Sequence, residues 1–223
     1  MDRTDRGWLV PLTGAAFVVL VIVSFMIGGE PPSIDDDSAA EITDFYKDNK
    51  DSVMFGSGMA VVASTFFVFF GAYLRRVLGA AEGGNGMLPA IAFAGTVVFA
   101  IGVAIDGTIS FALADSADDL SPQAVESLSA LWHNDFLPLA LGLQLLFIAT
   151  GLSLVRHAGA LPKWLGWVAL LLGVVAVTPA GFVAFLAGGV WVLIASVMLA
   201  LRARDRQPPS AAAPPAEPPP VSG

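Results

Sequence analysis

From Trp164 to Leu201 the chain runs 38 residues without a charged side chain. As one helix, rising about 1.5 Å per residue, that length would reach about 57 Å, well beyond the roughly 30 Å of a bilayer's hydrocarbon. It therefore has to fold back. Thr178-Pro179-Ala180-Gly181 supplies the turn, because proline has no amide donor and glycine accepts turn geometry. The segment reads as a tight hairpin of two short membrane spans, about 162–178 and 181–201.

Four further spans follow from run length. Gly7 to Gly29 and Ser52 to Leu74 are each 23 residues without a charge, and Phe136 to Val155 is 20. Met87 to Ala114 is apolar apart from Asp106. About 20 apolar residues suffice for one crossing. The expected fold class is therefore all-α: a polytopic membrane helix bundle of six transmembrane helices over residues 1–204. The first apolar run exceeds a signal peptide's core and lacks a small-x-small cleavage site, so it is expected to stay as the first span.

Charge orients this scheme. With the N-terminus in the cytoplasm, Arg3, Arg6, Arg75, Arg76, Arg156, Lys163, Arg202, Arg204 and Arg206 fall inside, and only Lys47 and Lys50 fall outside. Cytoplasmic loops of membrane proteins carry such an excess of cations. The pattern predicts a cell-membrane protein with both termini cytoplasmic. A five-span alternative would place Arg202, Arg204 and Arg206 outside, against that rule. Eight acids between Glu30 and Asp51 and five between Asp115 and Asp135 then face outward. A surface that negative concentrates cations and repels anions, or is simply solvated loop.

Both long outer connections carry helix signals. Ser38-Ala39-Ala40-Glu41 fits a capping box, and Ile42, Phe45, Tyr46 and Val53 form an apolar stripe with Asn49 among them. In the second, Ser121 suits an N-cap and Pro122 the first helical position. Val125, Leu128, Trp132 and Phe136 then lie on one face. Two short amphipathic helices are expected, as lids on the spans or at the headgroups. The Pro- and Ala-rich segment 205–223 is expected to be a disordered cytoplasmic tail.

Small residues at four-residue spacing mark packing faces: Gly56, Ala60 and Ser64, then Ala100 and Ala104, then Ala184 and Gly188. They suit a compact bundle or a contact with a second copy. Trp8, Trp132, Trp164 and Trp167 lie near predicted interfaces, where an indole can be half apolar and half wet.

The chemistry available is narrow. The chain has no cysteine and two histidines, His133 and His157, on opposite sides of the expected bundle. A thiolate site, a disulfide or a bis-histidine haem site is therefore excluded for a monomer. Asp106 is the one formal charge inside a span, a position that is costly and so a functional candidate. Counted inward from Ala114 it lies about 12 Å deep, and Gln144, counted from Phe136, comes to a similar depth. If their helices are neighbours the two can hydrogen-bond, as a structural link or as a proton- or ligand-handling pair.

Trp132-His133-Asn134-Asp135 is the densest polar cluster near a membrane face. His133 and Asp135 are two apart and would not face each other on a helix. Glu126 and His133, seven apart, share a face but offer only two metal ligands. Interface anchoring and capping compete there with a base-like role for His133. No catalytic motif, phosphate loop, calcium loop or zinc helix is present, so no catalytic residue, metal or cofactor is assigned.

Leu161-Pro162-Lys163-Trp164-Leu165-Gly166-Trp167, preceded by Arg156 and followed by Trp191 and Ser196, resembles a widespread actinobacterial family of multi-span membrane proteins without assigned function. Glu41 to Asn49 and Asn134-Asp135-Phe136 are similar to it as well. The resemblance implies a bundle in the cell membrane and carries no catalytic residues with it.

The reading the residues favour is a non-enzymatic binding or accessory bundle that receives a lipid, a small molecule or a membrane partner, which includes a second copy of itself. Its surroundings are the bilayer, not nucleic acid. The alternatives are a small proton-coupled transporter using Asp106 with Gln144, and a lipid-acting enzyme at the outer interface using His133 with Asp135 or Glu126.

Overall fold

A computed structural model describes residues 7–205 except Asn85, Ala158 and Ala160. Arg3, Arg6, Arg206 and the tail from residue 206 lie outside the described residues. Among those described there is no strand. A 3₁₀ segment, Gly7–Leu12, leads into α1 (Thr13–Gly28), followed by α2 (Ala39–Asp48), α3 (Lys50–Ala81), α4 (Met87–Ser116), α5 (Pro122–Asn134), α6 (Phe136–Arg156), α7 (Lys163–Val175) and α8 (Gly181–Asp205).

Five helical segments are long and apolar enough to cross a membrane: Gly7–Gly28, Lys50–Ala81, Met87–Ser116, Pro122–Arg156 and Gly181–Asp205. By length and composition the chain is a multi-pass helical membrane protein. The sixth expected span is α7. It has 13 residues, about 20 Å of helix, and is thus shorter than the others. Its early stop has a local cause. Pro179 cannot donate to the Val175 carbonyl and disfavours a helical Thr178. Instead the Thr178 amide and hydroxyl both donate to that carbonyl, at 3.0 and 2.7 Å.

The large helices form a closed ring in the order α1, α3, α4, α6, α7, α8, with α8 returning to α1 and the 3₁₀ segment. Neighbours run antiparallel, and close approach at small residues makes this possible. Gly56 meets the Ser24 carbonyl and Gly28, Gly107 meets Ser57, and Gly151 meets Gly166 and Leu170. Of the expected small-residue faces, Gly56, Ser64, Ala184 and Gly188 are buried, whereas Ala60, Ala100 and Ala104 are only half-buried. On α4 the packing face is Gly95, Gly102 and Gly107 instead, because those positions turn toward α6 and α3.

The interior is filled with aromatic rings. Phe17 stacks on Phe67 at 4.4 Å, Phe67 meets Phe99 edge-on at 5.2 Å, and Phe147 meets Trp191 edge-on at 5.4 Å. Large apolar side chains such as Phe25, Phe69, Leu171 and Phe182 are exposed around the perimeter. That inversion of the usual surface composition fits a lipid-facing wall.

At one end of the ring α2 and α5 pack together as a lid over the end of α4. Ile42, Tyr46, Val53, Leu113, Ala114, Ala117 and Val125 form a second core there, separate from the bundle's. Fully burying a side chain such as Ile42 or Val125 contributes about 1.5–3 kcal/mol, so the lid is packed structure. The capping box is present. The Ser38 amide and hydroxyl donate to Glu41 Oε2 at 2.8 and 2.7 Å, and the Glu41 amide returns a bond to Ser38 Oγ. These bonds hold the Glu41 carboxyl below its ordinary value. The two lysines of this end tie α2 and α3 to the α4 terminus: Lys50 reaches the Asp115 carboxylate at 3.4 Å, and Lys47 reaches Asp118 at 4.0 Å.

Candidate functional site

The break between α5 and α6 positions the site. Pro138, in the first turn of α6, can neither donate to the Asn134 carbonyl nor share its space, so the helix resets at Asp135. The Asp135 amide makes only a long bond, 3.4 Å, back to Trp132. Phe136 leaves the apolar face it was expected to share with Val125 and Leu128, and it is exposed.

Helix register decides what faces Asp106. The Gly95 Cα packs against the Leu146 amide and the Gly142 carbonyl, Gly142 packs against Phe99, and Gly102 packs against Leu139. One turn beyond the Gly102–Leu139 contact, Asp106 stands level with Asp135, and the two carboxylates interact. Gln144 lies nine residues farther along α6, about 13 Å away along the axis. The matched depth read from the sequence is thus corrected, and Asp106 and Gln144 make no hydrogen bond. The physical reason is that α4 outruns the bundle. Its last turns, with Leu113 and Ala114, belong to the lid core and not to the span. Counting inward from Ala114 therefore placed Asp106 too deep.

Around Asp106 the lid supplies polar groups. Tyr46 of α2 is fully buried and lies beside Ser129 of α5, also fully buried, with the Asp106 carboxylate close to its ring oxygen. The Trp132 indole nitrogen lies beside the Asp106 carboxylate. Among the described residues none of these neighbours closes to a hydrogen bond: Tyr46 Oη, Ser129 Oγ, Trp132 Nε1 and Asp135 Oδ2 are all buried and without a partner there. Burial pushes the Tyr46 phenol up to about 12, with Ser129 opposing and the Asp106 charge adding. Tyr46 is therefore a neutral hydroxyl at any ordinary pH. Each buried polar group without a partner costs about 1–3 kcal/mol, and native structures rarely leave several together.

The other expected site residues fall elsewhere. The His133 ring nitrogen Nδ1 lies 2.9 Å from its own helix at the Ser129 carbonyl, and its ring packs edge-on to Trp132. Asn134 donates to the Ala130 carbonyl at 2.7 Å. Both side chains satisfy local backbone at a helix end, and among the described residues no carboxylate pairs with His133. Among the described residues no group of three or more metal-ligating side chains forms, so Glu126 and His133 gain no third ligand. His157 lies at the opposite end of the bundle, 3.8 Å from Glu82.

Compared with protein-family profiles, with curated proteins and with solved structures, the chain gives no match. The fold and this cluster are accordingly read on their own chemistry.

Tyr46 and Ser129 lie outside the Trp132–Asp135 polar cluster that the sequence marks. Tyr46 counted toward an apolar stripe and Trp132 toward interface anchors. A signal was there to find. A tyrosine or tryptophan on the buried face of an amphipathic helix carries a polar atom that needs a partner.

Proposed function

We propose that this protein is a non-enzymatic binding bundle of the cell membrane, whose ligand is held under the outer lid by Asp106, Asp135, Tyr46, Ser129 and Trp132. One observation carries the reading: Tyr46 Oη, Trp132 Nε1 and Asp135 Oδ2 gather at Asp106, with Ser129 Oγ beside Tyr46, and all four are buried without a hydrogen-bond partner among the described residues. Donors and acceptors arranged this way suit a small polar molecule. Two facing carboxylates under an acidic surface favour a positively charged one, such as a primary ammonium group. In this reading the bundle crosses six times with both termini inside, and the lid end faces outward.

A transporter built on Asp106 with Gln144 is disfavoured by the register, which separates the two. An enzyme built on His133 is disfavoured by that ring's local bond and exposure.

The test uses purified full-length protein in nanodiscs, with ethanolamine as probe and choline chloride as the ionic-strength control. Ethanolamine is expected to raise the melting temperature in a saturable way, and Asp106→Asn and Asp135→Asn are expected to abolish the rise. Equal shifts with both salts, or a rise that survives both substitutions, would refute this reading.

A further inference from the structure

The opposite end of the bundle holds a feature unrelated to the lid. Between the end of α3 and the start of α4 lies an open cleft of about 560 Å³. Its chemistry is one-sided. Arg75 and Arg76 line it together with Gly79, Gly84, Gly86 and Pro89, and no acid among the described residues is in that lining. Glu82, the nearest acid in sequence, sets one carboxylate oxygen behind Gly86 of the cleft wall and the other 3.8 Å from His157 Nδ1, with its side chain 6% exposed. Neither arginine forms an ion pair among the described residues, and Arg75 rests over the Phe93 ring at 5.7 Å. That distance is within cation–π reach and engages the ring face without using the guanidinium's N–H donors.

The backbone keeps this cleft open. Gly83 and Gly84 take positive φ values, 84° and 101°, in a turn closed by the Gly84 amide on the Gly79 carbonyl at 2.8 Å. A side chain built at Gly79, Gly83 or Gly84 would meet nothing within 4 Å, so the space beside the arginines is clear. The cleft also has a fixed depth. Arg75 immediately follows the uncharged run that ends at Leu74, so the guanidiniums sit where hydrocarbon gives way to headgroups. The exposed Phe69, about two turns deeper on α3, continues the wall with apolar surface.

We infer that this cleft binds the phosphate of an anionic phospholipid, with Arg75 and Arg76 on the phosphodiester and the acyl chains along the α3–α4 wall. The volume admits a glycerophosphate headgroup, and two guanidiniums match its paired oxygens better than lysines would. A free phosphate would meet the same donors but would gain nothing from the apolar wall.

The experiment is native mass spectrometry of the full-length protein with added phosphatidylglycerol, phosphatidylcholine or inorganic phosphate. Retention of phosphatidylglycerol over phosphatidylcholine is expected, with inorganic phosphate failing to compete at millimolar concentration. Arg75→Gln or Arg76→Gln should weaken retention about fivefold each, and the pair about thirtyfold. Gly79→Leu, at a position where an added Cβ meets nothing within 4 Å, puts an apolar side chain into the cleft beside the arginines, and it should also abolish the preference. Arg156→Gln, a cation at the same end but outside the cleft, should leave it intact. Equal retention of the two lipids, a preference that survives both the double substitution and Gly79→Leu, or displacement by inorganic phosphate would overturn the assignment.

Discussion

The Trp191 indole donates a hydrogen bond to the Leu165 carbonyl at 3.0 Å, joining α8 to the first turn of α7 within a fully packed interior. The bond gives the shortest helix in the ring, α7, a fixed position against its neighbour. Leu165 lies in the Leu161–Trp167 stretch that opens α7. Trp191, 26 residues away, is the partner that stretch needs.

Trp191→Phe should therefore cost more than the lost ring area. Removing the N–H leaves a buried carbonyl with one bond fewer, a loss of about 1 kcal/mol, and Trp191→Ala should cost about 3–5 kcal/mol. Unfolding in mild detergent by graded denaturant would measure both. Equal stability of Trp191→Phe and wild type would show that the bond contributes nothing.

Gly95→Ala should separate α4 from α6. The added methyl would meet the Leu146 amide and the Gly142 carbonyl, both backbone and unable to move aside. Gly58→Ala, with nothing within 4 Å, is the matched control. Thermal unfolding should show a clear drop for the first and none for the second.

The Tyr46 phenol gives a pH dependence with a definite sign. Its value is 10.0 in an unfolded chain and about 12 in the folded one, so the folded state holds its proton longer. Stability is fully present below pH 10 and falls as pH rises toward 12, by on the order of 2–3 kcal/mol. Tyr46→Phe should remove that part of the alkaline loss. Unfolding titrations of the two proteins between pH 9 and 12 would compare the slopes directly.

Ser38→Ala should loosen α2 without disturbing the ring. A lost N-cap costs about 1 kcal/mol of helix stability; both bonds through Ser38 Oγ go, while the residue-38 amide can still donate to Glu41 Oε2. Because the bonds to Ser38 hold the Glu41 carboxyl low, the box is intact above the ordinary carboxylate value and is lost as pH falls through the lowered one. Amide hydrogen exchange across Ala39–Asp48 should quicken in the variant and, in the wild type, at acid pH.

Orientation can be read cleanly because the chain has no native cysteine. A cysteine placed at Thr178 should react with a membrane-impermeant maleimide on intact cells, whereas one at Arg204 should react only after lysis. The reverse pattern would invert the proposed topology.

Much of the fold was legible in the sequence because its main constraints are local. Run length fixes how many apolar helices there are, Pro179 fixes where the last pair separates, and Ser38 with Glu41 fixes where α2 begins. Each of these depends on a few adjacent residues and a hydrogen bond that must be made or forgone. The amphipathic stripes of α2 and α5 were legible for the same reason, since a period of 3.6 is carried by the chain itself.

What faces Asp106 was decided by tertiary structure alone. Depth counted along one helix assumes that its apolar run ends at the membrane surface, yet α4 continues into the lid's own core. The register of α4 against α6 is set by the glycine contacts at Gly95, Gly102 and Gly142, where backbones approach until they touch. That sliding fit brings Asp135 opposite Asp106 and carries Gln144 past it, and no spacing within either helix encodes it.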